Sequence, residues 1–155
     1  MGIWSTYEAY SPQKLDNVIR GTGSSGKPLF VCELGKAHRA LLPILTHHDD
    51  PVVGDIFSMA LAGERHIHSD SNGLEDGQPF WWWDFYSGGG YNDVQRVKEI
   101  AAALATLDLE TIVFQSEYHK YAYQYAEFYT NCLKSLNEFY QRAAKEKCAV
   151  WVNFG

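Results

Sequence analysis

At 155 residues, 46% hydrophobic and 21% charged, the chain has the size and balance of one folded domain with a core, which excludes a disordered tail or a fibrous array. Its net charge is −6, and Lys14, Arg20, Lys27, Lys36, Arg39 and Arg65 are scattered among acids. That distribution lacks the basic stripe a nucleic-acid partner needs and suits a basic protein surface instead.

In chain order, alternation over residues 3–10 predicts a strand with Ile3, Tyr7 and Ala9 on one side. The opening Met1-Gly2-Ile3-Trp4-Ser5-Thr6 also fits the permissive N-myristoylation pattern, but an apolar first strand explains it more simply. Ser11 and Pro12 have the cap and first-turn chemistry of a helix carrying Leu15, Val18 and Ile19, which Gly21 stops. A Gly/Ser loop over 21–27 leads to a short apolar run, Leu29 to Leu34, predicted as a buried strand. A helix over 36–45 follows, bent or ended by Pro43. Asp50 caps the next, with Pro51 at its first position, an apolar face of Val52, Val53, Ile56, Phe57, Ala60 and Leu61, and Gly63 at its close.

Beyond it, residues 64–78 are polar, with a short strand at 65–68, and 79–86 form an aromatic strand candidate. Gly88-Gly89-Gly90 reads as a flexible break. Asn92 is expected to cap a helix through Ala105 whose inward residues are Val94, Val97, Ile100, Ala101 and Leu104. Asp108 opens a short helical turn. The longest helix is predicted from Glu117 to Lys147, with a stripe of Tyr118, Tyr121, Tyr125, Phe128, Cys132, Leu136, Phe139 and Ala143. Residues 148–154 alternate as a final strand. No repeat or linker divides the chain, so the expected fold class is α+β, residues 1–155 forming one domain in which a small mixed or antiparallel sheet packs with several helices.

Cys32, Cys132 and Cys148 are odd in number and lack CxxC spacing, which points to a reducing compartment. No signal-peptide pattern opens the chain, and no apolar run reaches the roughly 18–20 residues of a membrane span. The expectation is a soluble cytoplasmic protein with no membrane partner.

Three segments, Val31-Cys32-Glu33-Leu34-Gly35-Lys36-Ala37-His38-Arg39-Ala40-Leu41, Val97 to Leu104, and Phe139 to Ala144 with Cys148-Ala149-Val150, together resemble the bacterial YfbM-like family, a domain of unknown function. The first is similar to its strand-to-helix signature. Here Glu33 and Gly35 stand where that family has Asp, and His38-Arg39 where it has Trp-His. Val97 to Leu104 resembles its middle helix, and Phe139 to Ala144 followed by Cys148-Ala149-Val150 its closing helix and strand. The Met-Gly start of the first strand also fits. The resemblance implies a compact α+β fold of mixed strands and helices and supplies no catalytic residues.

Two phosphate patterns overlap in Gly21-Thr22-Gly23-Ser24-Ser25-Gly26-Lys27, but both need a strand entering and a helix leaving. Here a helix enters and a strand leaves, and Pro28 removes both a hydroxyl and an amide. His47 and His48, with His66, His68 and Asp70 downstream, could hold a divalent metal such as zinc, because the two imidazoles of an HxH strand share a face. Solvated loop histidines are the plainer reading, and the spacing matches neither HExxH nor a zinc finger. A thiol dyad of Cys132 with His38 or His119, and a carboxylate site from Asp70, Glu75, Asp76 and Asp84, would both depend on tertiary proximity.

The 15% aromatic content concentrates in Phe80-Trp81-Trp82-Trp83-Asp84-Phe85-Tyr86. On a strand these rings would point to both faces, either filling a two-sided core or leaving one row as a binding surface. The functional expectation is a non-catalytic binding domain with no cofactor. Its protein partner or second copy would meet Trp81, Trp82, Trp83, Phe85, Tyr86 and Tyr91. The alternative is a metal-dependent hydrolase built on the 47–50 and 66–70 segments.

Overall fold

Chain order and sheet order differ in one telling respect: the last strand lies in the middle. In the computed structural model, which describes residues 5–20, 27–35, 37, 41, 50–67, 89–115 and 126–154, five strands form one sheet. They are β1 (Ser5–Tyr10), β2 (Phe30–Gly35), β3 (Arg65–Ile67), β4 (Gly89–Asn92) and β5 (Ala149–Phe154), in the order β2-β1-β5-β4-β3. Every neighbouring pair is antiparallel. The described helices are α1 (Pro12–Arg20), α2 (Pro51–Ala62), α3 (Val94–Ala105), α4 (Leu109–Gln115) and α5 (Ala126–Lys145). The fold class is therefore α+β, as expected.

The pleat sends alternate residues to opposite faces, and the two faces are dressed differently. Tyr7 and Ala9 of β1, Cys32 and Leu34 of β2, and Val150 and Val152 of β5 point inward. They meet Phe57 and Leu61 of α2, Ile100 and Leu104 of α3, and Leu136 and Tyr140 of α5 in one continuous core. On the other face a smaller cluster gathers Tyr10, Leu15 and Ala149, with Val18, Ile19, Tyr91, Val94 and Trp151 packed around it. There α1 is the covering helix, and its Leu15, Val18 and Ile19 stripe is the one the sequence predicts.

Asp50 caps α2 as expected, its carboxylate accepting from the Val52 amide at 2.9 Å with Pro51 in the first turn. Val52, however, is 68% exposed, because it falls outside the arc that Phe57, Ala60 and Leu61 bury. The cap of α3 is Asp93, not Asn92: the Asp93 carboxylate accepts from Arg96 N at 2.8 Å. Asn92 instead ends β4 opposite Val150, fully buried on the inner face. Asp108 caps α4, accepting from the Thr111 hydroxyl at 2.8 Å and its amide at 3.3 Å.

Two glycines of the predicted break are strand residues. Gly89 pairs with Asn153 and Gly90 with Val152. A side chain at Gly90 would meet the Ala62 carbonyl oxygen at 1.9 Å, so glycine here permits close approach of helix to sheet rather than flexibility.

The end of α5 falls at Lys145, two residues earlier than predicted. Lys147 turns left-handed at φ 56, while Cys148 N bonds to Ala143 O at 2.8 Å and Lys147 N to Ala144 O at 3.2 Å. This is a Schellman closure with lysine where glycine is preferred. Phe128, placed inward by the predicted stripe, is 55% exposed; Leu133 and Tyr140 join Leu136, Phe139 and Ala143 in the buried arc. Strand β2 is not buried on both faces as expected, since it is a sheet edge whose outward residue Val31 is 48% exposed. Of the predicted helix over 36–45, Ala37 and Leu41 are described, both helical and buried in the core; the loop over 21–26, the strand over 79–86 and residues 117–125 lie outside the described residues.

Candidate functional site

The inner face holds a polar network that resembles a reaction centre but serves the end of a helix. The last carbonyls of α2 run out of helical partners after Met59 O, which accepts from the cap amide Gly63 N at 2.8 Å. Asn92 Nδ2 donates to Met59 O at 2.9 Å, Tyr140 Oη to Ala60 O at 2.6 Å, and Tyr7 Oη to Leu61 O at 2.9 Å. Asn92 also donates to Tyr140 Oη at 3.3 Å and accepts from Glu64 N at 2.8 Å. Burial pushes both phenols far above their ordinary value, and each hydroxyl donates to a carbonyl. A proton-transfer role needs a phenol that ionises within reach of a reactant; these two bind backbone instead. Next to this network, Arg96 Nη2 meets Glu64 Oε1 at 2.8 Å and its other terminal nitrogen meets Glu99, tying the start of β3 to α3.

The outer face is less closed. Register places Val31, Glu8, Trp151, Tyr91 and Arg65 side by side across β2, β1, β5, β4 and β3. Directly opposed residues on one face have Cβ atoms about 4.5–5.5 Å apart. Glu8, Trp151 and Tyr91 are half-buried, while Val31 and Arg65 are exposed. The six-membered ring of Trp151 reaches over Gly89, where a side chain would lie 2.5 Å from its Cζ2. Burial pushes the Glu8 carboxyl above its ordinary value, opposed by the Tyr10 hydroxyl 3.3 Å away. Tyr10 itself is pushed up to about 12, by burial first and then by the neighbouring carboxylate. A half-dry carboxylate beside an aliphatic side chain can accept a cation, and the rings farther along the row can stack.

Of the expected surface residues, Tyr91 is in this row and packs beside Trp151 against the α1 cluster. Trp81, Trp82, Trp83, Phe85 and Tyr86 lie outside the described residues, as do His47, His48, His68 and Asp70 of the metal alternative. His66 is placed on β3, paired with Gly90. Among the described residues no group of three His, Cys, Asp or Glu side chains is placed to hold a metal ion. His38, His119, Glu75, Asp76 and Asp84 are likewise outside the described residues. Cys32 and Cys148 are buried, and burial pushes the Cys32 thiol up to about 11, the chemistry of an inert thiol.

Sequence reasoning missed Glu8 and Trp151. The alternation of 5–10 and of 149–154 was legible, and it puts both residues on the face opposite the core. Their adjacency depends on β5 pairing with β1, a contact across more than 140 positions that no local signal encodes.

Sheet and row together define an antiparallel α+β domain with one face closed by helices and an acidic aromatic row on the other. Its fold is that of a solved protein of unknown function, YfbM from Escherichia coli. The two align over 98% of this chain and 99% of that one, with a TM-score of 0.59 and 15% identity. No family model matches the chain, and no curated protein does. Among the described residues no helix is long and apolar enough to cross a membrane.

Proposed function

We propose that the chain is a YfbM-like, non-catalytic binding protein of the cytoplasm that engages a protein partner, or a second copy of itself, through the outer face of its sheet. The observation that carries this reading is the row of Glu8, Trp151 and Tyr91, three polar or aromatic side chains left half-buried where the inner face is sealed. Aromatic groups beside a charge are the composition of binding hot spots rather than of an ordinary solvated surface. The net charge of −6 favours a basic partner, and three unpaired thiols support a reducing compartment. The aromatic run Trp81, Trp82, Trp83, Phe85 and Tyr86, which leads along the chain into β4, is assigned to the same surface.

The test is retention of a partner from the native cell extract by the purified chain, alongside light scattering for self-association. Trp151→Ala, Tyr91→Ala and the pair Trp82→Ala with Trp83→Ala should each lose the partner while the melting transition persists. Phe128→Ser, at an exposed ring on α5, should keep it. Retention that survives all of the outer-face substitutions would overturn the reading.

A further inference from the structure

Glu8 occupies a place where a carboxylate is unfavourable. It is half-buried, accepts a hydrogen bond from the Tyr10 hydroxyl at 3.3 Å, and forms no ion pair with a cation of the described residues. The described ion pairs are made elsewhere in the molecule: Arg96 with Glu64 and Glu99, Lys134 with Glu110, Arg142 with Glu146. Arg65 shares the row but stands three strand spacings from Glu8, about 14 Å at the usual ~4.8 Å per strand. An ionised group that has lost part of its water without gaining a partner cation weakens the fold, and such costs concentrate where a ligand supplies what is missing.

The flanks of Glu8 specify the shape of that ligand. On one side is the exposed Val31, with Glu33 two residues along β2 on the same outward side; on the other is Trp151, whose ring leans away over Gly89 and leaves the space above Glu8 open. An aliphatic surface accepts the methylene stem of a long basic side chain. We propose that Glu8, beside Val31 on the outer face, receives a lysine or arginine side chain of a protein partner. The carboxylate takes the ammonium or guanidinium group, and Val31 packs the stem. The inference rests on the outer face being the docking surface and adds the chemistry of what docks there.

The probes are Nα-acetyl-arginine amide, Nα-acetyl-lysine amide and the uncharged Nα-acetyl-citrulline amide, titrated into the isotope-labelled full chain. The cationic amides should shift the backbone signals of Glu8, Val31 and Trp151 saturably, and citrulline should not. Glu8→Gln should weaken the effect by about tenfold or more, with a melting temperature no lower than that of the parent. Val31→Lys should place an internal cation beside Glu8, raising the melting temperature and blocking the probes. Shifts spread evenly over the acidic surface, or local shifts that persist undiminished in Glu8→Gln, would overturn the proposal. If Trp151→Ala loses the cellular partner while the cationic amides leave the row untouched, the docking reading stands and the cation site falls. If neither responds, both fall.

Discussion

The two faces of one sheet are built from the same strands yet have opposite characters. On the inner face the buried Tyr7, Asn92 and Tyr140 each donate to a carbonyl at the end of α2, while the buried Ser5 hydroxyl has no partner among the described residues. On the outer face α1 covers the Tyr10 and Ala149 end, and Glu8, Trp151 and Tyr91 remain half-buried. The buried phenols and the Asn92 amide are therefore a poor guide to function in this molecule, because they bind the end of a helix. The carboxylate that helix termination does not explain is the informative one.

Four substitutions would break or sharpen this contrast. Gly90→Ala should have the largest effect, because its Cβ would overlap the Ala62 carbonyl at 1.9 Å and neither backbone can yield cheaply. A loss of more than about 4 kcal/mol in denaturant unfolding, or failure to fold, is expected. Tyr140→Phe should cost about 1–3 kcal/mol, since the Ala60 carbonyl is left buried without its donor. A loss near zero would mean that water replaces the hydroxyl and that the inner face is less sealed than its geometry indicates. Lys147→Gly should stabilise by up to about 1 kcal/mol by relieving the left-handed φ of 56. It serves as a control that leaves both faces untouched.

Glu8→Gln should give the smallest change, and its sign is the point. Because burial raises the folded-state pKa above the ordinary 4.5, the native state holds the proton more tightly than the unfolded chain. Ionisation therefore subtracts stability as pH rises through that raised value, and the loss is absent below about the ordinary one. Water still reaches half of the group, so the gain from Gln at neutral pH should stay within about 0.5 kcal/mol. Thermal melts of parent and variant should diverge above pH 4.5 and converge below it. A parent more stable than the variant at neutral pH would mean that Glu8 already has an internal partner.

Much of the framework was legible because its signals are local. Asp50-Pro51 starts α2 through an acceptor side chain and a fixed φ, and the alternation in 5–10 and 149–154 marks two half-covered strands. Where reading failed, a tertiary demand outweighed a local preference. Asn92 is an acceptable cap residue, but its buried side chain is taken up by Met59 O, Tyr140 Oη and Glu64 N, and capping passes to Asp93. Gly89 and Gly90 look like a loop until the Trp151 ring and the end of α2 are seen to need the space above them. Phe128 matches helical spacing, yet the core is narrower than the stripe, and the ring is left outside.

Sequence alone determined the α+β class, the acidic balance, most helix starts and the residue types available for binding. These follow from periodicity, caps and charge, each carried within a few neighbouring residues. Tertiary structure decided that the last strand inserts between the first and the fourth, which is what seats Glu8 beside Trp151. Long-range strand pairing leaves no trace in local pattern, because its hydrogen bonds join backbones whatever side chains they carry.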